Sequence, residues 1–478
     1  MHTPMTWHIE ELLEATGGKL VAGPMAAEFA GIGIDSRIIP KDHLFVAIRG
    51  EKYDGHAFAP ELMAGGIKGI MIHQPLPDRE QLIDWSEAGG CCIMVDDTTR
   101  ALGDMAAFQR QRAGIPVVAI TGSNGKTTTK ELTASIISRE RATLSTQGNL
   151  NNEIGLPLTL FRLSRAHEAA VVELGMNHPG EIFRLGEISR PDIGVITNIG
   201  PAHLEGLKDI EHVMAAKAEL LEHIGADGTA VLNADDGFGR RMGEMADSRI
   251  LYFGLAEHAD VRAEAVRPAG MMTEFDLVLP DGQIPVTLHA PGRYMLANAM
   301  ASAAAGYAMG ISREAIKSGI EAFRPVAGRM AHAETRTGVH IIDDAYNANP
   351  GSMKAAIDAL TALKGGHRAI LVAGDMLELG DTAAELHAEV GRAAAALGID
   401  RLYLTGTFAR DTADGALAGG MPESAVFVGS KSQILENLSE CVASGDWVLV
   451  KGSRSTGMEQ IVQMLLHQAS SKAGQKGA

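Results

Sequence analysis

The stretch Val117-Val118-Ala119-Ile120-Thr121-Gly122-Ser123-Asn124-Gly125-Lys126-Thr127-Thr128-Thr129 constrains this chain more than any other. A β-branched run behind Pro116 reads as a buried strand, and it breaks into a glycine turn that opens a helix near Thr127. Phosphate binding needs this geometry. Glycines let backbone amides converge on an anion, and the helix N-terminus adds a partial positive charge. Lys126 is placed to reach a terminal phosphate and the Thr127 hydroxyl to ligate magnesium, with Gly122, Ser123, Asn124, Gly125 and Thr128 completing the cradle. The general pattern has a glycine five residues before Gly125, where Ile120 stands, so the loop is a compact variant.

A chain of 478 residues is too long for one core, and length alone suggests about three domains. The segment 1–114 reads as a small α/β domain, with short strands at 32–37, 44–48 and 69–72 and helices at 56–64 and 99–112. The segment 115–324 opens with the phosphate loop and continues with strands at 169–172, 193–196 and 229–232 separated by helices. Such alternation gives a parallel mononucleotide-binding sheet with helices on both faces. Short runs between 250 and 288 suggest an antiparallel extension, and 296–309 reads as a buried helix. The segment 325–478 shows five strand-like runs, at 339–342, 369–373, 401–405, 425–428 and 447–450, which predict a second, Rossmann-like doubly wound sheet. Asp343-Asp344-Ala345-Tyr346-Asn347 stands where a dinucleotide fingerprint would follow its first strand, so a plain dinucleotide site is not expected there. The polar tail from 470 onward is expected to be disordered.

The net charge of −17 argues against nucleic acid or an anionic membrane as the main partner, although a few local cations suffice for a small anionic substrate. Cys91, Cys92 and Cys441 have neither metal nor disulfide spacing, which fits a reducing cytoplasm. The first 19 residues lack the apolar core of a signal peptide, and no run reaches the ~18 apolar residues of a membrane span. A cytoplasmic protein is expected.

Ligands of parallel sheets sit at the carboxyl ends of the strands, and the polar groups of the central segment fall there. Glu173 follows one strand, and Asn198-Ile-Gly-Pro-Ala-His203 follows the next. Read singly, Glu173 is a magnesium ligand or a solvated strand-end acid, because hard cations prefer carboxylate oxygen. His203 reads as a structural histidine, Lys217 as a solvated helix lysine, and Asp35-Ser36-Arg37 as a turn.

Together these pieces resemble the Mur ligases. Gly122-Ser-Asn-Gly-Lys-Thr-Thr-Thr-Lys-Glu131, Glu173-Leu-Gly-Met-Asn177, the Asn198 to His203 segment and Ala216-Lys-Ala-Glu219 occur in that family's order, and the compact loop is its variant. Segments in all three domains resemble the branch that adds a dipeptide. These are Asp35-Ser-Arg37, Asp54-Gly-His56, Gly148-Asn-Leu-Asn-Asn-Glu-Ile-Gly-Leu-Pro157, Asp343-Asp-Ala-Tyr-Asn-Ala-Asn-Pro350 and Ala373-Gly-Asp-Met-Leu-Glu-Leu-Gly380. The Asp-Asn-Pro-Arg of the sibling that adds the third amino acid is not found in the sequence.

The resemblance implies an ATP- and Mg2+-dependent peptide ligase of peptidoglycan precursor synthesis, acting as a monomer on UDP-N-acetylmuramoyl-tripeptide and D-alanyl-D-alanine. It implies that Lys126, Glu173, His203 and Lys217 are catalytic, with Thr127, Glu173, His203 and a carbamylated Lys217 as metal ligands. Asn298, Arg329 and Asp344 would join the phosphate loop in holding ATP, and Ser36, Arg37, Asn151, Asn152, Tyr346, Asn347 and Asn349 would meet the other substrates. One departure stands out: after Pro291-Gly292 the family usually shows His-Asn, whereas Tyr294 and Met295 occur here and only the later Asn298 remains. The alternatives are another Mur-type ligase, a nucleotide-hydrolysing switch or a non-catalytic muropeptide-binding relative. Asn233-Ala-Asp-Asp236 does not supply the Asn-Lys-x-Asp of a guanine-specific switch, and intact Lys126, Thr127, Glu173, His203 and Lys217 speak against a non-catalytic relative.

Overall fold

The computed structural model describes residues 5–50, 52–73 and 77–471. Three large sheets follow one another along the chain. The first has five strands in the order Lys19–Ala22, Cys91–Met94, Gly69–Ile72, Leu44–Val46 and Ile32–Gly33, all parallel except the first. The strand expected over 32–37 is shorter, because Asp35 turns the chain by accepting from the Arg37 amide and guanidinium. The helix expected at 56–64 divides into a 3-10 turn, Gly55–Phe58, and an α-helix, Ala59–Ala64.

The central sheet has nine strands. From one edge they run Thr143–Ser145, Ala169–Glu173 (β2), Val117–Thr121 (β1), Ile193–Ile196 (β3), Thr229–Asn233, Arg249–Gly254, Val261–Ala269, Met272–Leu279 and Gly282–Leu288. Alternation explains why β1 sits inside the sheet, third from that edge. Val118 and Ile120 enter the core on one face, and Val117 and Ala119 enter the core on the other, so both faces are covered by helices. The antiparallel extension is smaller than expected: Arg249–Gly254 still pairs in parallel, and antiparallel ladders begin only between Val261–Ala269 and Met272–Leu279. The helix after the phosphate loop is Lys126–Ile137 (α1), and a buried lysine ends the helix Ile210–Ala218 (α2). The alanine-rich helix Arg293–Ala308 (α3) lies against α1, where its small side chains bring Ser302 Oγ within 3.1 Å of the Thr129 carbonyl it donates to.

The last sheet has six strands, one more than expected. Its order is Ala331–Glu334, His340–Asp344 (β4), Trp447–Lys451 (β5), Ala369–Ala373, Arg401–Leu404 and Val426–Val428, parallel except for the first strand. The helix Pro350–Leu363 (α4) opens beside β4 with Asn349 as its N-cap. The tail expected to be loose from 470 begins inside the helix Glu459–Ser471, and its remainder lies outside the described residues.

Candidate active site

The phosphate loop is braced by the turn that follows β3. The Ser123 amide donates to the Asn198 carbonyl (2.9 Å), and the Asn124 amide donates to Asn198 Oδ1 (3.0 Å). Thr197 Oγ1 and Asn198 Nδ2 both donate to the Asn124 carbonyl, at 2.6 and 3.0 Å. Gly125 adopts φ +81°, and a Cβ there would lie 2.2 Å from Asn298 Oδ1, so the loop is shaped for glycine. Lys126 Nζ donates to the Gly122 carbonyl at 2.7 Å. Desolvation pushes this amine below the usual lysine range, with Glu173 opposing the shift and Arg329 adding to it.

A cavity of about 1050 Å³ opens over this loop. Residues 123–128, Glu173, Asn198 and His203 form one wall, while Arg329, Asp344, Tyr346, Asn347 and Asn349 from the last sheet face them. Asn151, Asn152, Tyr294, Met295 and Asn298 also line it. Contacts between the walls hold them together: Asn349 Nδ2 donates to Asn124 Oδ1 (2.8 Å), and His203 Nδ1 bonds Glu378 Oε2 (2.6 Å). Arg329 Nη2 also reaches Thr127 Oγ1 at 3.4 Å and stacks its guanidinium 4.0 Å over the Tyr346 ring.

Glu173 is 2% exposed. Its Oε1 accepts from Asn151 Nδ2 at 2.7 Å, while Oε2 has no partner among the described residues. A buried carboxylate oxygen left open in the cavity that Thr127 also lines fits a hard cation.

Lys217 differs from the solvated lysine its composition suggests. It is 1% exposed at the end of α2, and its amine meets no hydrogen-bonding partner among the described residues. Burial, and then the nearby Lys126 charge, push this amine far below the ordinary lysine range. It does not line the cavity, and neither does Gly122. Ser36 and Arg37 stand apart as well: Arg37 is exposed and paired to Asp35, and among the described residues Thr99 alone comes from the first 114.

Sequence reasoning missed Glu378, Lys451, Ser453 and Arg454, all of which line the cavity. Arg454 Nη1 donates to the Tyr346 hydroxyl at 2.8 Å. Lys451 is 3% exposed and donates to Asp344 Oδ2 (2.5 Å) and the Asn347 carbonyl (2.9 Å), so it fixes the segment that bears Tyr346. Lys451→Ala would strand the Asp344 carboxylate and should cost roughly 3–5 kcal/mol of stability, read as earlier unfolding in urea. An unchanged transition would show the pair to be dispensable.

Three family descriptions match the chain in sequence order: the Mur ligase family catalytic domain over 28–110, the Mur ligase middle domain over 120–306, and the Mur ligase glutamate ligase domain over 328–454. The chain belongs to the Mur ligase family. Its Mur ligase relatives span nearly its whole length. The UDP-N-acetylmuramoyl-tripeptide–D-alanyl-D-alanine ligase of Escherichia coli strain K12 is 37% identical over 96% of this chain and 98% of its own. The Bacillus subtilis ligase of the same name is 33% identical over 91% of this chain and 93% of its own. Among solved structures, MurF from Acinetobacter baumannii superposes with a TM-score of 0.89 at 33% identity, covering 97% of this chain and all of that one (100%). MurF from Thermotoga maritima in complex with ADP gives 0.81 at 26% identity, covering 92% of this chain and 98% of that one. The three sheets are thus those of an ATP-dependent Mur ligase. No described helix is long and apolar enough to cross a membrane.

Proposed function

We propose that this Mur ligase joins D-alanyl-D-alanine to UDP-N-acetylmuramoyl-tripeptide at the expense of ATP, in the cytoplasm and as a monomer. The observation that carries this reading is the single cavity walled by the phosphate loop on one side and by Arg329, Asp344, Tyr346 and Asn349 on the other. A phosphoryl donor and a second substrate meet there, and the full-length relatives bear the name of that reaction. In this reading residues 1–114 hold the UDP end through Ser36 and Arg37, residues 115–324 hold ATP, and residues 325–478 bring the dipeptide through Tyr346, Asn347 and Asn349. Asn151 and Asn152 face the acceptor peptide.

The chemistry follows from a poor electrophile. Transfer of the γ-phosphoryl group to the tripeptide carboxylate gives an acyl phosphate with a good leaving group. The dipeptide amine attacks its carbonyl carbon, loses a proton, and the tetrahedral adduct collapses to an amide and phosphate. Charge gathers on phosphate oxygens throughout, so positioning and cations supply most of the rate. Lys126 would leave the Gly122 carbonyl to meet those oxygens, while Arg329, Asp344 and Asn298 orient the nucleotide. Bound magnesium would neutralise the transferring phosphate, with Thr127 and Glu173 suited to one ion and His203 and a carbamylated Lys217 to a second. The contacts across the cavity would shut out water, which otherwise hydrolyses the acyl phosphate.

Phosphate release measured with each substrate omitted in turn tests the assignment. Release that requires both the muropeptide and D-alanyl-D-alanine is expected. Release from ATP alone would make the protein a switch, release driven by a single amino acid would make it another Mur-type ligase, and no release would leave a binding protein.

Gly125→Ala tests the cradle. Alanine at φ +81° carries a backbone penalty of roughly 1–2 kcal/mol and displaces Asn298. Calorimetric titration should show ADP bound about tenfold more weakly. Unaltered ADP affinity would remove this loop from the nucleotide site.

A further inference from the structure

His203 and Glu378 belong to different sheets, and each is a non-glycine residue held in the left-handed region, at φ 57° and 62°. His203 ends the loop after β3 and precedes the short helix Leu204–Leu207. Glu378 lies in the loop that follows Ala369–Ala373. The two loops are joined at two points: His203 Nδ1 meets Glu378 Oε2 at 2.6 Å, and the Glu205 amide donates to the Glu378 carbonyl at 3.2 Å. Unusual backbone on both sides of one contact is a feature of sites under functional constraint.

We propose that Glu378 is a positioning residue that turns His203 toward a metal ion, and does so only while the last sheet is closed over the phosphate loop. The inference rests on reading the cavity as an ATP–metal site. A carboxylate can only accept, so in the neutral, metal-binding form of the imidazole the proton sits on Nδ1 and the lone pair on Nε2. Histidines that bind metals are commonly fixed in this way, with the second ring nitrogen bonded to a carboxylate. Here the carboxylate arrives from another sheet. Its loop is tied to that sheet by Met376, which is 1% exposed and donates its amide to His387 Nε2 (2.9 Å), and by the Leu377 amide, which donates to Ser453 Oγ (2.9 Å). Opening of the two walls must therefore carry Glu378 away from His203. The ring would lose its fixed orientation and tautomer together, and the ligand would be set only when the second substrate's wall is in place.

Manganese serves as the probe, titrated into the ADP-loaded full-length protein and followed by electron spin resonance. Glu378→Ala should bind manganese roughly 10- to 100-fold more weakly than wild type. Glu378→Gln, whose amide oxygen still accepts from Nδ1, should recover most of that loss. In a His203→Ala background Glu378→Ala should add nothing, because it acts through that ring. Unchanged manganese affinity in Glu378→Ala, or an undiminished effect without His203, would overturn the proposal. A wild-type protein that recruits no manganese would instead overturn the metal reading beneath it.

Discussion

Lys126→Ala should fold normally and lose roughly 10²-fold or more of its turnover. The lysine caps no helix and fills no core; its amine donates to the Gly122 carbonyl inside the same loop, an interaction that water can replace. Its absence should therefore leave packing intact while removing the cation proposed to meet the transferring phosphate. The charge also bears on Lys217, because Lys126 is the second cause of that amine's lowered proton affinity. Removing Lys126 should make Lys217 easier to protonate, so the two substitutions should not combine independently. Thermal unfolding and phosphate release on the same preparation check the prediction. A folded Lys126→Ala protein with near-normal turnover would take the phosphate loop out of the mechanism.

The strands that carry the site were legible because each is a β-branched or apolar run with polar groups at its carboxyl end. Val117–Thr121, Ala169–Glu173 and Ile193–Ile196 all fit that description. The edge strand Ala331–Glu334 was not legible. It alternates alanine with His332 and Glu334, short and without a β-branched residue, and becomes a strand by pairing with β4. Thr143–Ser145, Lys19–Ala22 and Cys91–Met94 were missed for a related reason: each is a strand of three or four residues whose partner lies far along the chain. The same non-locality hid Glu378. Its segment was visible as a family motif, but nothing local says that its carboxylate would cross 175 residues of sequence to reach His203. Lys217 misled in the other direction, since a lysine ending a helix usually reaches water, whereas tertiary packing encloses it, as it encloses Lys451.

Lys217→Ala should still bind ADP and lose roughly 10²-fold or more of its ligation, beyond what losing an outer partner of a metal ligand commonly costs. The reasoning starts from its burial. An ammonium with no hydrogen-bonding partner, enclosed near Lys126, is an unfavourable group to keep charged. The neutral amine is the form that adds carbon dioxide, and the carbamate turns a cation into an anion with two oxygens suited to magnesium. Acetate or formate added to Lys217→Ala should therefore restore part of the ligation, and stripping carbon dioxide from the native protein should depress it reversibly. Stability gives an independent sign. Unfolding returns to the unmodified lysine a proton that the folded state does not hold, so the unfolded chain binds more protons above the folded value and stability rises with pH toward about 10.4. At pH 7 the unmodified lysine is thus a burden, and Lys217→Met should unfold at higher urea than carbon dioxide-free wild type while ligating poorly. Full ligation by Lys217→Ala, or a Lys217→Met protein that is both less stable and unaffected by carboxylates, would leave the buried lysine a packing residue and nothing more.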